Sequence, residues 1–583
     1  MATVNFVIIA IILIILSIGI TVFLKRSYSL ETEDFINKYS FDYLAKEMKD
    51  TLQLLIKLRT EELNLNKFET EKRIKNKERL KQALRNSSTG DYGAKTYVKD
   101  YIVNLLQEKY GINENTIDKV FNSYDLKPEE QFLFLLYQYK KEYRLKALEE
   151  LILQNQLDQP KYDEYENPYY EISEADIWKV YQVQRKDYTY LDKLDILTQR
   201  IYASIFGHGV VDEIRDMKID GVSGGVSGIS QEFYNYGEDL INGIDTFLFS
   251  YDSVWIFFQG KSIRLSFLGF GSQMELERVC KNIYRYNNPG QLSEEKGHIE
   301  NDMKDGSRVV VVRPPFSDSW AFIVRKHDNI KDAELEEIIT DKNSNLVIDA
   351  LKCMVKGCQI TAITGEQGCG KTTLLKVLIR FINSTFNLRI QELIFELSLR
   401  KLYPNRNILT FKEIPSVSGQ EGLDLQKKTD GAVNIMGEVS TFPVANWIIQ
   451  MSQVASKFTM FTHHAKTVED LIEWMRNALI KESGFHNEKL AEEQVVKKIR
   501  FDIHLNMNMQ GHRYIERITE IIPLKREQEF GDTYKAVDII RNQGYGYELE
   551  NKFSNQAKKE MFRYLSESDK VKYANLFEGG AYE

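Results

Sequence analysis

The chain has 583 residues, of which 43% are hydrophobic and 28% are charged, so it is long enough for several globular domains and is not compositionally disordered. Its 77 basic and 85 acidic residues give a net charge of −8, and this balance provides no basic footprint for nucleic acid. The four cysteines form no CxxC pair and are too sparse for a disulfide framework, which argues against a zinc site and a disulfide-rich secreted module.

An uncharged apolar run near the N-terminus predicts a membrane anchor. The run from Phe6 to Leu24 contains no proline, and at ~1.5 Å per residue it is long enough to cross a hydrocarbon core of roughly 30 Å. Lys25 and Arg26 follow it, whereas a cleaved signal peptide would have its basic residues before the run. By the positive-inside rule, we expect residues 1–30 to be a single-pass anchor in the cytoplasmic membrane, with the rest of the chain in the cytoplasm.

Helical patterning follows the anchor. Between residues 31 and 85 there is no proline, and apolar residues recur at helical spacing at Leu44, Met48, Leu52, Leu55 and Leu58. The heptad pattern is not sustained past Leu65, which favours ordinary helix packing over a coiled coil. We therefore expect a helical spacer domain over 31–155 and interpret the acidic, Tyr- and Pro-bearing stretch 156–189 as a linker.

Two domains in which strands and helices are mixed are predicted next. Short runs rich in β-branched and aromatic residues, at Ser253–Phe258, Arg308–Arg313 and Ala321–Val324, predict a mixed α/β domain over 190–332. From 333 to 523 strands alternate with helices, which predicts a second α/β domain with a parallel sheet. Residues 524–583 are expected to form a C-terminal helical extension.

One motif in the second α/β domain carries clear chemistry. The sequence Gly365-Glu-Gln-Gly-Cys-Gly-Lys-Thr-Thr373 fits the phosphate-binding pattern G-x-x-x-x-G-K-[ST], with a β-branched strand before it and a helix after it. The glycines let backbone N–H groups face phosphate, Lys371 reaches the β- and γ-phosphate oxygens, and the Thr372 hydroxyl binds Mg²⁺. The predicted cofactors are ATP and Mg²⁺, and the loop residues predicted to bind ATP are Gly365, Gln367, Gly368, Cys369, Gly370, Lys371, Thr372 and Thr373.

Two later strand ends carry polar residues. The apolar run Ala432–Val439 ends in Gly-Glu rather than the usual Asp-Glu, and this indicates Glu438 as an acid near the magnesium ion. The run Phe458–Ala465 ends in two histidines, of which an isolated one would more often be structural. The order of P-loop, Gly-Glu and His-Ala nevertheless favours a functional His464.

In this order the motifs resemble the secretion ATPases of the type II/type IV superfamily. They are most similar to the pilus-assembly ATPases called TadA or CpaF, with VirB11-like proteins as relatives. The similarity covers roughly residues 194–522. Besides the motifs above, it includes the segments Asp305–Arg308, Arg313–Pro315, Phe322–Lys326 and Glu516–Glu520.

The resemblance implies an N-terminal α/β domain hinged to a RecA-like P-loop ATPase core. It also implies a homohexamer that works with membrane platform proteins in bacteria. Arg308 and Arg325 would reach the phosphates from the preceding domain, Glu438 would bind Mg²⁺ and act near the attacking water, and His464 would sense the γ-phosphate.

The family's acidic box departs from its usual form in this chain. The family pattern is I-E-D-x-x-E-L, and the matching stretch is interpreted as Leu393–Arg400, with Glu396 as its surviving carboxylate. Glu396 is therefore the predicted water-orienting base, alongside Glu438, Lys371 and His464 as catalytic residues. The thinned box puts the rate of hydrolysis in question more than nucleotide binding.

These features predict an ATP-hydrolysing motor that powers assembly of a Tad/Flp-type pilus or a related type II/IV secretion machine. One alternative is a scaffold of such a machine that binds nucleotide and hydrolyses it weakly. A VirB11-like ATPase for DNA or effector transfer would share the same core, although the charge balance predicts no direct contact with nucleic acid. An ABC-type ATPase is a further alternative, since Val417–Glu421 is a partial ABC signature, but Gly437 stands where that class requires aspartate.

Overall fold

The computed structural model describes residues 38–57, 67–121, 126–230, 248–326, 333–392, 395–414, 416–454, 456–508, 511–524 and 532–577. The chain divides into two compact units, 1–327 and 328–583. The apolar segment 6–24 lies outside the described residues, so the anchor stays a prediction. Within the described ranges, no helix is long and apolar enough to cross a membrane.

The first unit begins with a group of packed helices. They are α1 (Phe41–Lys57), α2 (Lys67–Asn86), α3 (Tyr92–Glu108), α4 (Ile117–Val120), α5 (Pro128–Tyr143), α6 (Ala147–Gln154), α7 (Glu174–Gln184) and α8 (Tyr190–Ile205). Leu44, Met48 and Leu52 of α1 are buried in one core with Ile102 of α3 and Leu197 of α8. The helical spacing in the sequence therefore reflects packing against neighbouring helices.

An eight-stranded sheet forms the rest of this unit, together with α9 (Asp212–Asp216) and α10 (Gln273–Ile283). Its strands are β1 (Lys161–Tyr162), β2 (Pro168–Ile172), β3 (Gly221–Gly224), β4 (Val254–Phe258), β5 (Lys261–Leu265), β6 (His298–Asp302), β7 (Arg308–Val312) and β8 (Ala321–Arg325). They lie in the order β1-β2-β5-β4-β3-β8-β7-β6, and β2 with β5 is the parallel pair. Along β7, alternate residues are buried because one face of the sheet covers the core.

Residues 156–189, predicted to be a linker, belong to the fold. Strand β2 pairs with β5, with Tyr170 opposite Ile263. Ser173 then caps α7, and Asp176 completes a capping box by accepting from the backbone N–H of Ser173 at 2.9 Å. The linker prediction was wrong because tyrosine, proline and acidic residues dominate the composition here, while the strand lies toward the sheet edge, where proline is tolerated at a first position.

Buried ion pairs connect the helices to the sheet region within the first unit. Lys95 of α3 pairs with Asp212 and Asp216 of α9, the latter at 2.6 Å. Arg215 pairs with Asp305, which follows β6, at 2.8 Å. Burial alone would lower the pKa of Lys95, but the two aspartates outweigh it and raise that pKa. These ion pairs therefore stabilise the contact between the predicted spacer helices and the sheet region, because separating the two would leave buried charges unpaired.

The second unit contains a nine-stranded sheet. Its strands are β9 (Thr361–Gly365), β10 (Leu388–Glu392), β11 (Ile408–Lys412), β12 (Val433–Val439), β13 (Phe458–His463), β14 (Phe501–Met507), β15 (Arg513–Pro523), β16 (Tyr534–Asn542) and β17 (Tyr547–Leu549). They lie in the order β11-β10-β12-β13-β9-β14-β15-β16-β17. The strands from β11 to β14 pair in parallel, and those from β14 to β17 pair antiparallel.

Helices cover both faces of this sheet, as a parallel sheet requires. They are α11 (Leu335–Ile338), α12 (Ser344–Lys356), α13 (Lys371–Leu378), α14 (Leu399–Leu402), α15 (Gly419–Gln426), α16 (Phe442–Val454), α17 (Val468–Ser483), α18 (Glu488–Val496), α19 (Asn555–Met561) and α20 (Glu567–Lys572). One core includes Leu351 and Leu375, and a second core includes Ile448 and Leu471. All residues of β9 and β10 are buried between these layers. The predicted mixed α/β fold is confirmed.

The C-terminal segment is not wholly helical, in contrast to the prediction for 524–583. Strands β16 and β17 extend the sheet before α19 and α20. Charged residues such as Lys535 and Asp538 lie on β16. Because of these residues, the sequence of this stretch resembled that of an exposed helix. Antiparallel strands near a sheet edge tolerate such residues because part of their surface faces water.

Candidate nucleotide-binding site

A glycine-rich loop joins β9 to α13 at the carboxyl end of the parallel strands. Gly365, Gly368 and Gly370 have φ angles of 136°, 83° and 100°, which residues with a Cβ rarely adopt. At Gly365, a Cβ would also lie 2.2 Å from the carbonyl oxygen of Leu505. The chain therefore needs glycine at these positions to turn between strand and helix.

The side chain of Lys371 folds back over this loop. Its Nζ donates to the carbonyl oxygens of Gly365 at 2.8 Å and Glu366 at 2.7 Å, and it lies 3.3 Å from Nδ1 of His464. Burial is the largest influence on the pKa of Lys371 and lowers it, with smaller opposing effects from Cys369 and Glu438. A cation thus lies inside the turn, held by oxygen acceptors that phosphate oxygens could replace.

The first turn of α13 offers N–H donors to an anion. Its N-cap is Gly370, which has no side chain that could cap the N–H groups of Lys371, Thr372 and Thr373. The positive end of the helix dipole lies at the same place, so the phosphates of ATP fit this turn. Gln367 at the tip of the loop is exposed, whereas Cys369 is buried inside the loop.

Arg513 of β15 contacts the loop from a distant part of the sequence. Its Nε donates to the carbonyl oxygen of Gly368 at 2.9 Å. This contact brings a second cation to the loop and fixes the position of its tip. No sequence motif pointed to Arg513, because the contact depends on how β15 lies beside β14 in the sheet.

His464 connects Lys371 with Glu438. Its Nδ1 lies 3.3 Å from Nζ of Lys371, and its Nε2 lies 3.3 Å from Oε1 of Glu438. Because the lysine ammonium can only donate, we assign Nδ1 as the acceptor and Nε2 as the protonated nitrogen that faces the carboxylate. The structure therefore brings together three predicted site residues, which come from the start of α13, the end of β12 and the turn after β13.

The adjacent His463 has a different environment. Its Nδ1 donates to the carbonyl oxygen of Val439 at 2.6 Å, and its ring packs on Trp474 with centroids 4.6 Å apart. Burial is the largest influence on the pKa of His463 and lowers it. This histidine ties β13 to β12 and has a structural role.

Glu392, which no sequence motif singled out, is a buried acid at the end of β10. Its Oε1 accepts the backbone N–H groups of Glu396 at 2.9 Å and Leu397 at 2.7 Å. A Cβ on Gly437 would lie 3.1 Å from Cγ of Glu392, so the two residues face each other across β10 and β12. Burial raises the pKa of Glu392 to about 7, although the two N–H groups oppose this rise.

The position of Glu392 also explains the unusual acidic box. Glu392 and Glu396-Leu397 have the spacing of the two glutamates and the leucine in the pattern I-E-D-x-x-E-L, which in this frame would begin at Gln391. Glu396 is half-buried in the turn after β10, and its role as a base stays a prediction. A larger residue at 437 would be in tight contact with Glu392, whose side chain would have to shift by a few tenths of an ångström.

Oxygen donors for Mg²⁺ are present near the loop. Among the described residues, no three His, Cys, Asp or Glu side chains converge as a metal cage. Mg²⁺ at nucleotide sites is commonly bound by one or two protein oxygen ligands together with phosphates and water. Thr372 and Glu438 supply ligands of this chemical type, and their binding of Mg²⁺ stays a prediction.

Arg308 and Arg325 lie in the first unit, directly opposite each other on β7 and β8. Arg308 is paired with Glu300, its Nε donating to Oε1 at 2.8 Å. The P-loop lies in the second unit, so the approach of these arginines to the phosphates stays a prediction.

The partial ABC signature has a structural explanation. Ser418 caps α15, and Glu421 accepts from the backbone N–H of Ser418 at 2.8 Å. A Cβ on Gly419 would lie 1.9 Å from the ring of Trp447. Helix capping and close packing account for these residues without nucleotide chemistry.

Comparison with protein-family models gives no match, and comparison with curated proteins gives none. Among solved structures, the chain is similar to the VirB11 ATPase of the Brucella suis type IV secretion system, with 15% identity, 52% of this chain and 89% of that chain covered, and a TM-score of 0.27. It is similar to the Legionella pneumophila ATPase DotB, with 14% identity, coverage of 63% of this chain and 85% of that chain, and a TM-score of 0.36. The pilus retraction motor PilT with bound ADP has 12% identity, 63% and 88% covered, and a TM-score of 0.35. With TM-scores this low, the functional argument rests on the residues of the site.

Proposed function

We propose that the protein binds ATP with Mg²⁺ at the P-loop and hydrolyses it to ADP and phosphate. The observation that carries this proposal is the position of the Lys371 ammonium inside a glycine turn, next to His464 and Glu438. The carboxyl edge of a parallel sheet is the usual place for such a ligand site.

In this proposal each residue has a defined task. Lys371 and the first turn of α13 bind the phosphates, and Thr372 and Glu438 hold Mg²⁺, which neutralises phosphate charge. Glu392 accepts the proton of the attacking water, because its pKa of about 7 suits a base that works near neutral pH. Glu396, the base predicted from the sequence, is half-buried in the turn after β10 and is the alternative candidate.

The test is phosphate release by the full-length chain, compared with Lys371→Ala and Glu438→Gln. We expect Lys371→Ala to lose both ATP binding and turnover. Glu438→Gln should retain ATP binding and lose turnover, because the amide has the size of the carboxylate but no charge for Mg²⁺. Wild-type turnover no higher than that of Lys371→Ala would refute hydrolysis.

We further propose that this ATPase is the motor of a Tad/Flp-type pilus or a related type II/IV secretion machine. The ordered motifs support this role, and the placement of β13 between β9 and β12 supports a RecA-like core. The motor would act as a homohexamer on membrane platform proteins, held at the cytoplasmic membrane by segment 6–24. Light scattering with ATP tests the ring, and carbonate extraction of the full-length chain and a variant lacking residues 1–30 tests the anchor.

A nucleotide-binding scaffold is the second candidate. Gly437 in place of the usual aspartate favours it, because the end of β12 then carries one carboxylate instead of two. Such a scaffold would bind ATP and show turnover no higher than Lys371→Ala even with its membrane partners. A VirB11-like role in DNA or effector transfer would instead be recognised from the proteins that co-purify with the chain.

A further inference from the structure

A chain of buried polar contacts lies directly behind the P-loop. Thr364 is the residue before the loop, and its hydroxyl donates to Oδ1 of Asp502 at 2.6 Å. The same hydroxyl lies 2.9 Å from Nδ1 of His504, which stands opposite Thr364 on β14. Because Thr364 has one proton and Asp502 accepts it, His504 donates from Nδ1. The P-loop strand is thus fixed to β14 by side chains as well as by its backbone.

Arg517 extends this series of polar contacts toward the segment that carries His464. It lies on β15 opposite His504, and its Nη2 is 3.4 Å from Oδ2 of Asp502. The same nitrogen donates to the carbonyl oxygen of Lys466 at 3.3 Å. Lys466 is two residues after His464, in the turn between β13 and α17. One guanidinium therefore contacts both the group that holds the P-loop strand and the segment that carries His464.

We infer that Arg517, held by Asp502, is a positioning residue that fixes segment 464–466 relative to the P-loop, so that His464 lies between Lys371 and Glu438. This inference rests on the proposed function, since it concerns the same site. Arg517 acts through the backbone of Lys466. Its effect is therefore expected on turnover and not on the binding of ATP.

The chain provides a matched control at the opposite end of the same strands. Arg500 precedes β14, and its Nη2 pairs with Glu560 at 2.9 Å. Its backbone N–H donates to the carbonyl oxygen of Ile360, just before β9. Arg500 and Arg517 are both buried and both pair with a carboxylate, but only Arg517 lies at the P-loop end.

The central test variant is the double substitution Asp502→Asn/Arg517→Met. Removing both charges avoids an unpaired buried carboxylate, which would destabilise the fold. We expect kcat to fall on the order of 10- to 100-fold, the loss that a misplaced group near the reacting atoms can cause. The dissociation constant for ATP should stay close to the wild-type value, and Arg500→Met should keep wild-type kcat. Equal kcat for the double variant and Arg500→Met, or an equal loss in ATP binding, would overturn the inference.

Arg517→Lys provides a variant that keeps the charge beside Asp502 and so protects the fold. A single ammonium lacks the planar fork of a guanidinium, so it should hold Asp502 less well together with the Lys466 carbonyl. We expect unfolding close to that of the wild type with reduced kcat. Wild-type kcat in this variant would count against the positioning role.

The tautomer of His464 gives a readout that does not depend on activity. In the full chain labelled with ¹⁵N-histidine, with His464→Gln as the assignment control, His464 should show a protonated Nε2 and an unprotonated Nδ1. Arg517→Lys and the double variant should shift this signal toward a tautomer mixture, and unchanged signals would overturn the inference. If wild-type turnover proves absent, the proposed hydrolysis fails, while the NMR result still decides the positioning role.

Discussion

Replacing Glu392 with glutamine tests both the buried environment of this acid and its proposed role as the base. Glutamine keeps the oxygen that accepts the N–H groups of Glu396 and Leu397, but it cannot ionise. Because burial raises the pKa of Glu392 from 4.5 to about 7, the folded protein disfavours the charged carboxylate. Glu392→Gln should therefore stabilise the second unit at high pH and abolish turnover.

The sign and size of the effect follow from the two pKa values. The folded state holds the proton of Glu392 more tightly than the unfolded state does, so the free energy of unfolding is highest below pH 4.5. It falls as the pH rises from 4.5 to about 7 and then levels off. At about 1.4 kcal/mol for each pKa unit, the raised pKa of Glu392 lowers the free energy of unfolding by about 3 kcal/mol at pH 8 and by about 1 kcal/mol at pH 5. Glutamine removes this cost, so its stabilising effect should be larger at pH 8.

The assay is urea unfolding of the wild type, Glu392→Gln and Glu396→Gln at both pH values, with phosphate release measured at pH 8. Glu396 is half-buried in the same turn and is the matched control. Glu396→Gln should change stability little and keep turnover if Glu392 is the base. A stability gain for Glu392→Gln that is equal at pH 5 and pH 8 would refute the reasoning about burial. Loss of turnover in Glu396→Gln alone would assign the base to Glu396.

Two further predictions separate function from structure at other positions. His464→Gln should lower kcat with little change in ATP binding, whereas His463→Gln should lower the free energy of unfolding by about 1–3 kcal/mol, because the carbonyl oxygen it contacts would be left less well satisfied. Phosphate release measures the expected loss for His464→Gln, and urea unfolding measures the expected loss for His463→Gln. Lys95→Met should destabilise the first unit by about 3–5 kcal/mol, since Asp212 and Asp216 would lose a buried partner. Unfolding of that unit at a lower urea concentration, with ATP binding unchanged, is the expected outcome.

Several strands were predicted from the sequence because their β-branched and aromatic composition reflects burial. The runs at Ser253–Phe258, Arg308–Arg313 and Ala321–Val324 correspond to β4, β7 and β8 within one or two residues. Strand β9 is buried along its length, and its β-branched residues together with the glycine-rich loop that follows made it recognisable as a strand. Strands β2 and β16 are mostly exposed or half-buried, carry mixed residues and were missed for that reason.

The site was predictable where a motif is local and was missed where its partners are distant. The P-loop is a continuous segment, so its strand, glycines and helix can be recognised together. Glu392 was missed because the acidic box was matched in a frame that starts at Leu393, and its contact with the position of Gly437 depends on two neighbouring strands. Arg513 was missed because its contact with the loop depends on the position of β15 beside β14. The difference between His463 and His464 likewise depends on side-chain direction, because the two are adjacent in sequence. These relations come from sheet order and register, which a single sequence does not specify.

The importance of glycine at 437 can itself be tested by introducing an acid at this position. Gly437→Asp would place a Cβ 3.1 Å from Cγ of Glu392. At pH 8, where both acids are ionised, two carboxylates about 4 Å apart would repel by about 4 kcal/mol at an effective dielectric constant of about 20. The φ angle of Gly437 is not positive, so the backbone accepts aspartate and the cost should come from Glu392. In the Glu392→Gln background this cost should largely disappear, which a double-mutant cycle of unfolding free energies measures. If Gly437→Asp lowers the free energy of unfolding equally in both backgrounds, the side chains at positions 437 and 392 do not interact. If the cost disappears as expected, the absence of an acidic side chain at 437 is what lets the ionised Glu392 occupy this end of the sheet.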